Sequence, residues 1–310
     1  MRDSRRLRAW DCPRPDPSNV RAVTTADGNR IDPAAAIGAV GLTVADADRV
    51  SRFYEEAIGL RRLARSGDAT GLGAGEETLV ELIADPDAPA RPPGTTGLFH
   101  LAILVPSRLE LARALRRVVD AGGRFTGASD HLVSEALYLN DPEGNGIEIY
   151  RDRPREEWRY RNGELEMATL PLDVDDLVGE LGGEPQGETP MAPETRIGHV
   201  HLNVASLPRA EEFYGEGLGL DVTVRGYPGA LFLSAGGYHH HIGLNTWAGE
   251  GAAPPPPGAR GLAWFELVVP NTDEVARVEE RLRDAGLEAE RKDAGVLATD
   301  PSRNRVLIEA

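Results

Sequence analysis

The sequence predicts an α+β fold made of four βαβββ units in two tandem domains, and two internal repeats carry that prediction. The long repeat comes first. IGAVGLTVADADRVSRFYEEAIGLRRL from Ile37 and IGHVHLNVASLPRAEEFYGEGLGLDV from Ile197 share a strand, a turn, a helix ending in Phe-Tyr and a Gly-Leu exit. The shorter repeat is GLFHLAILVP from Gly97 and GLAWFELVVP from Gly261. Both of these strands run into amphipathic segments ending in Ala121-Gly122 or Ala285-Gly286, and both units close through DPEGNGIEIY or DPSRNRVLIEA.

Taken in order, residues 1–36 mix Arg, Asp and Pro with almost no periodic apolar pattern, and read as a flexible extension or as a wrap over a partner subunit. Residues 37–152 are the N-terminal domain, 153–195 a connector and 196–310 the C-terminal domain. Each opening strand alternates. Val40, Leu42 and Val44, like Val200, Leu202 and Val204, form an apolar face to pack under the following helix. The other faces carry Ala39, Gly41 and Thr43, or His199, His201 and Asn203, too small or polar for a hydrophobic core. DAPARPPGTTG and GAAPPPPGARG hold too much proline for central strand and link the units within each domain. The connector is charged and aperiodic apart from LDVDDLVGEL, a short helix that Asp173 is placed to cap.

At 310 residues, 41% of them hydrophobic, the chain can bury a substantial core. Its net charge of −16 argues against nucleic acid, since no Lys/Arg block is present to neutralise phosphates. Cys12 is the single cysteine and excludes an intramolecular disulfide, in keeping with a reducing cytoplasm. No apolar run approaches the roughly 18 residues a membrane helix needs, and the basic start MRDSRRLRAW leads into no apolar signal region. A cytoplasmic protein without membrane attachment is expected, and a homo-oligomer is compatible with the pattern.

Asking what each unit offers on its first and last strands turns the repeat into a ligand count. Unit one offers Ala39, unit two His100 and Glu148, unit three His199, and unit four Trp264 and Leu307. In FHLAIL, alternation puts Phe99, Leu101 and Ile103 on one face and His100 on the other, while Ile147 and Ile149 flank Glu148. Only units two and three together supply two histidines and a carboxylate, a set suited to non-haem Fe(II) that holds substrate and O2 together. A single site shared by the two domains is expected, with units one and four as scaffold. The bland alternatives are a hydrogen-bonded strand histidine and a glutamate facing water.

GLFHLAILVPSR, DHLVSEALYLNDPEGNGIEIYRDRP, IGHVHLNV and SAGGYHHHIGLNTW together resemble the vicinal oxygen chelate superfamily, and within it the two-domain extradiol ring-cleaving dioxygenases of the catechol 2,3-dioxygenase type. The resemblance covers Ile37 to Ala310. It implies the paired βαβββ (glyoxalase-like) fold, Fe(II) held by His199, His100 and Glu148, and a small aromatic diol and O2 as substrates; Mn(II) suits the same ligands. His131 and Tyr138 resemble the family's active-site His and Tyr that contact substrate oxygens. Better-known members take all three ligands from the C-terminal domain, where this chain has Trp264 and Leu307. It is thus similar to the branch, including hydroquinone dioxygenases, that pairs units across domains.

Tyr238-His239-His240-His241 reads as strand, which puts His239 and His241 on one face and His240 on the other. Ring opening needs an acid and a base beside the bound oxygens, and His241, then His239, is expected over the metal as proton donor. His241 replacing His199 as a ligand is the alternative. His201 shares a face with His199 and is expected to be a wall residue hydrogen-bonded to backbone. Trp247 is expected to line the pocket or fill the core, and Trp10, Trp158 and Trp264 to pack. Two other functions compete: glyoxalase-like lyase or isomerase chemistry, which normally wants two carboxylates among four ligands, and metal-free binding of a small aromatic ligand, which leaves the histidine cluster unexplained.

Overall fold

The computed structural model of the chain describes residues 30–66, 69–161, 163–184, 190–293 and 295–310. The first unit runs β1 (Ala36–Val44), α1 (Ala47–Phe53), β2 (Arg61–Ser66), β3 (Ala69–Ala74) and β4 (Glu77–Ala84). The second runs β5 (Gly97–Leu104), α2 (Arg108–Asp120), β6 (Gly127–Asp130), β7 (Ser134–Asn140) and β8 (Gly146–Asp152). The connector adds β9 (Tyr160–Arg161), β10 (Glu164–Leu165), β11 (Leu170–Pro171) and α3 (Val174–Gly179). The third unit is β12 (Arg196–Asn203), α4 (Leu207–Glu211), β13 (Asp221–Val224), β14 (Ala230–Ser234) and β15 (Ile242–Asn245). The fourth is β16 (Gly261–Val268), α5 (Thr272–Asp284), β17 (Ala289–Arg291), β18 (Gly295–Thr299) and β19 (Arg305–Glu309).

Helices begin where the sequence supplies a cap. Asp46, Ser107, Asp173 and Asn271 accept from a first-turn backbone N–H of α1, α2, α3 and α5 at 2.9, 3.2, 3.0 and 3.0 Å. α2 and α5 end on Ala121 and Ala285, and the next residues, Gly122 and Gly286, sit at φ 72° and 67°, where glycine avoids the Cβ penalty. The two Asp-Pro turns are built alike. Asp141 accepts from the backbone of Glu143 and Asn145 and from the Asn145 side chain; Asp300 does the same with Ser302 and Asn304.

Beside the small β9–β10 ribbon of the connector, two large sheets form among the described residues, and each crosses the two halves of the sequence. The order β17-β18-β19-β16-β1-β4-β3-β2 joins units four and one, while β11-β6-β7-β8-β5-β12-β15-β14-β13 joins units two and three. Their seams are the antiparallel pairs β1–β16 and β5–β12. One buried cluster takes Val40, Leu42 and Val44 from the first sheet and Leu101, Ile103, Val200 and Leu202 from the second, together with Leu111, Val118, Val275 and Leu282 of the helices. With the apolar strand faces committed to that core, the small and polar faces are left to line a cup in each sheet.

Both seams skip register at matching places: β12 against β5 at Gly198 and at Phe99, and β1 against β16 between Ile37 and Val40 and between Gly41 and Leu42. At Gly198 a Cβ would stand 1.8 Å from the Tyr150 hydroxyl, so only glycine fits. The bulge at Phe99 overturns the alternation expected for β5. Rather than joining Leu101 and Ile103 in the core, its ring meets His100, His201 and Trp247 at 5.2, 5.1 and 5.2 Å.

Residues 1–29 of the expected extension, with Trp10 and Cys12, lie outside the described residues. Its last residues are docked: Ile31 is buried and donates its N–H to Gly219 at 3.0 Å, and Arg30 pairs with Asp221 at 3.0 Å. No helix among the described residues is long and apolar enough to cross a membrane.

Candidate metal centre

Ala102 organises the second sheet's cup. It pairs with Glu148 of β8 on one side and His199 of β12 on the other, and His100 precedes it by one strand repeat on β5, so all three side chains rise from one face. Ala102 itself offers only a methyl group to a floor shared with Ala136 and Tyr150. Nε2 of His100 and Nε2 of His199 lie 3.0 and 3.2 Å from the same Glu148 Oε2, and the three donor atoms fall within 4.8 Å of one another. All three residues are buried, at 5%, 1% and 3% exposure for His100, His199 and Glu148.

Burial works to raise the Glu148 carboxyl, but the His199 and His100 imidazoles beside it hold it well below the ordinary carboxylate range. Burial pushes His199 down to about 4 against the pull of Glu148. His100 Nε2 is buried and off the hydrogen-bond line despite its 3.0 Å approach to Glu148. Glu148 Oε2 is hydrogen-bonded to His199 Nε2, but His100 Nε2 is left without a partner at the point where the three donors converge, which fits a divalent cation better than a closed hydrogen-bond set.

Tyr138 pairs with Glu148 across β7 and β8, and its ring lies 5.7 Å from His100. Its hydroxyl is 2.7 Å from Nε2 of His131, whose Nδ1 is 2.7 Å from the Ala168 carbonyl in the connector. A carbonyl only accepts, so Nδ1 carries the proton and Nε2 takes the hydrogen bond of the phenol. Burial lowers the His131 pKa from its ordinary 6.5 and keeps the ring neutral.

The histidine run departs from the expected alternation because it is loop: β15 starts only at Ile242. His240 is the one packed against His199, with ring centroids 4.0 Å apart and the rings tilted by 46°, and His239 lies 6.1 Å from His199. His241, expected over the metal, is held elsewhere. Its Nδ1 accepts from the Ala235 N–H at 3.1 Å, its ring lies 4.9 Å from Tyr238, and it lines a separate cavity of about 260 Å³ with Arg155 and Arg196. Nε2 of His239 donates to Asp152 at 2.8 Å, and its Nδ1 is 2.7 Å from Nδ1 of His240. With the His239 proton committed to Asp152, His240 must donate from Nδ1, which leaves its own Nε2 as a lone pair.

Asp152 and Phe99 are cup residues to which the sequence did not point, and His240, ranked behind His241 and His239 in the histidine run, is the member that meets His199. Asp152 had a usable signal, since it follows Glu148 and Tyr150 at strand spacing on β8. His201 does not make the backbone hydrogen bond expected of it; its Nε2 is buried with no partner. Trp247 stands at the rim, 38% exposed, and donates to the Pro228 carbonyl at 3.2 Å. Trp158 packs as expected, donating to Arg153 at 3.0 Å, and Trp264 lies flat against Gly41, where a Cβ would come within 2.5 Å of the indole.

Among known proteins, the catechol-2,3-dioxygenase of Bacillus subtilis (strain 168) is 44% identical over 270 residues, 86% of this chain and 93% of that protein. Biphenyl-2,3-diol 1,2-dioxygenase 3 of Rhodococcus globerulus is 34% identical over 79 residues, 24% of this chain and 42% of that protein. Glyoxalase I from Zea mays shares the fold, with a TM-score of 0.54 at 18% identity over 89% of this chain and 92% of that one. Residues 36–149 and 196–308, which hold the four units, match the family described as the Glyoxalase/Bleomycin resistance protein/Dioxygenase superfamily, and the chain belongs to it.

Proposed function

We propose that this chain is an Fe(II)-dependent extradiol dioxygenase that opens a catechol or hydroquinone-type ring with O2. The observation that carries the reading is the convergence of His100, His199 and Glu148 on one buried point. Similarity to a catechol-2,3-dioxygenase over most of the chain supports it. These three residues would hold the iron, which supplies a Lewis acid for a chelated diol and a redox centre for O2. Mn(II) suits the same donors.

The remaining chemistry belongs to side chains on either flank. On the His100 side, the Tyr138 oxygen accepts the proton of a substrate hydroxyl while its own proton moves to Nε2 of His131; the other ring proton stays on Nδ1, hydrogen-bonded to the Ala168 carbonyl. On the His199 side, Nε2 of His240 takes the second proton, and the imidazolium is stabilised through His239 by the Asp152 carboxylate. Positioned acid–base groups of this kind contribute roughly 10² to 10⁴ in rate. Reduced, iron-loaded protein should consume O2 and give a coloured ring-opened product with a panel of diphenols. Replacing His100, His199 or Glu148 by Ala should each abolish iron retention, and full iron content in all three variants refutes the assignment.

A further inference from the structure

One wall of the cup is unexplained by the chemistry above. The bulged Phe99, Phe232 and Trp247 surround His201, with ring centroids 5.1, 5.8 and 5.3 Å from the imidazole. His201 pairs with His100 across the β5–β12 seam, and the two imidazoles lie 5.0 Å apart and nearly perpendicular at 84°. His201 is only 4% exposed, and its Nε2 is fully buried without a hydrogen-bond partner. Gly243 presses on the opposite edge of the ring, where a Cβ would come within 2.9 Å of its Cγ, so the imidazole is set in place from behind.

A buried nitrogen without a partner is destabilising unless a ligand or water meets it. Both proton-handling groups sit elsewhere, Tyr138 with His131 on one flank and His240 against His199 on the other. His201 is therefore free to meet a different part of a bound ring. We infer that His201 selects for substrate, hydrogen-bonding a third, uncharged polar group on the carbon next to the diol, such as a hydroxyl or an acyl oxygen. This rests on the dioxygenase reading. The wall's members supply aromatic faces and a single imidazole, with no guanidinium or ammonium, and Glu148 lies close to His100. A carboxylate substituent would be desolvated there beside another carboxylate, which is unfavourable. A methyl group would fit the aromatic wall but leave Nε2 unsatisfied.

The test compares two ligands of nearly equal size, 1,2,3-trihydroxybenzene and 3-methylcatechol. Their binding to iron-loaded protein is measured calorimetrically without oxygen, so turnover plays no part. Wild-type protein should bind the trihydroxy compound at least about tenfold more tightly. His201→Phe, which keeps an aromatic ring in the wall, should erase that preference while retaining iron and 3-methylcatechol binding, and His201→Gln should restore part of it. Equal binding of the two ligands by wild type, or a preference unmoved in His201→Phe, overturns the inference and leaves the dioxygenase reading intact. Failure of both diols to bind iron-loaded protein overturns the two together.

Discussion

His131 donates a hydrogen bond from Nδ1–H to the main-chain carbonyl of Ala168, 2.7 Å away, so the connector between the two halves sets the tautomer of an imidazole beside the three converging donors. That single bond decides which nitrogen faces Tyr138. Replacing His131 by Gln, or Tyr138 by Phe, should lower kcat by roughly 10² to 10⁴ while iron content stays at the wild-type level. Oxygen uptake and metal analysis on the same samples separate this outcome from loss of the metal.

The acid side of the pH profile should report the same pair. Burial lowers the His131 pKa from 6.5, so the folded protein keeps this ring neutral after an exposed histidine would have charged. Activity that needs the Nε2 lone pair is then retained as pH falls through 6.5 and lost only below it. The corresponding stability term has the same sign: it is fully present above 6.5 and declines as pH falls toward the lower folded-state value. His131→Gln should remove this acid limb from kcat.

Asp152 holds His239 and, through it, His240. Asp152→Asn allows an amide N–H to face Nε2 of His239, which reverses both tautomers and leaves a proton where His240 had a lone pair. The expected result is a fall in kcat on the order of 10² or more with iron retained. Nitrogen NMR of labelled histidines should show the exchange of tautomers; unchanged shifts would mean that Asp152 acts in some other way.

Gly198 and Tyr150 make a stability prediction independent of metal. A methyl group at Gly198 would overlap the Tyr150 hydroxyl at 1.8 Å, so Gly198→Ala should destabilise the fold by about 1–3 kcal/mol. Tyr150→Phe in the same chain removes the obstructing oxygen and should recover part of the loss in thermal unfolding. Strict additivity of the two changes would place the strain elsewhere.

Where the strand ladder is regular, side-chain parity sufficed. The convergence of His100, Glu148 and His199 was legible because the pairing runs without a shift from His100 to Ala102 against His199 to His201 and from Leu101 to Leu104 against β8, and the Asp173 cap was equally local. Parity failed at Phe99, where a bulge adds a residue and turns the ring over, and across His239 to His241, which precede the start of β15. There the direction of each side chain is set by partners far along the chain, Asp152 for His239 and Ala235 for His241. The connector was legible as charged and aperiodic, but not as the partner of His131, since a main-chain carbonyl leaves no trace in residue identity.

The seams have a consequence for how the protein is made. Ile37 pairs with Leu267 and Leu101 with Val200, so during synthesis the first half emerges with two strand edges that have no partner yet. Until β12 arrives, that half has the donors of His100 and Glu148 but not the third. A chain that stops short of His199 is left with a two-donor half-cup and an apolar edge, the kind of surface that invites pairing with other chains. Retention of the proposed metal by His100, Glu148 and His199 would therefore double as a signature that translation reached the second half and that the correct edges met.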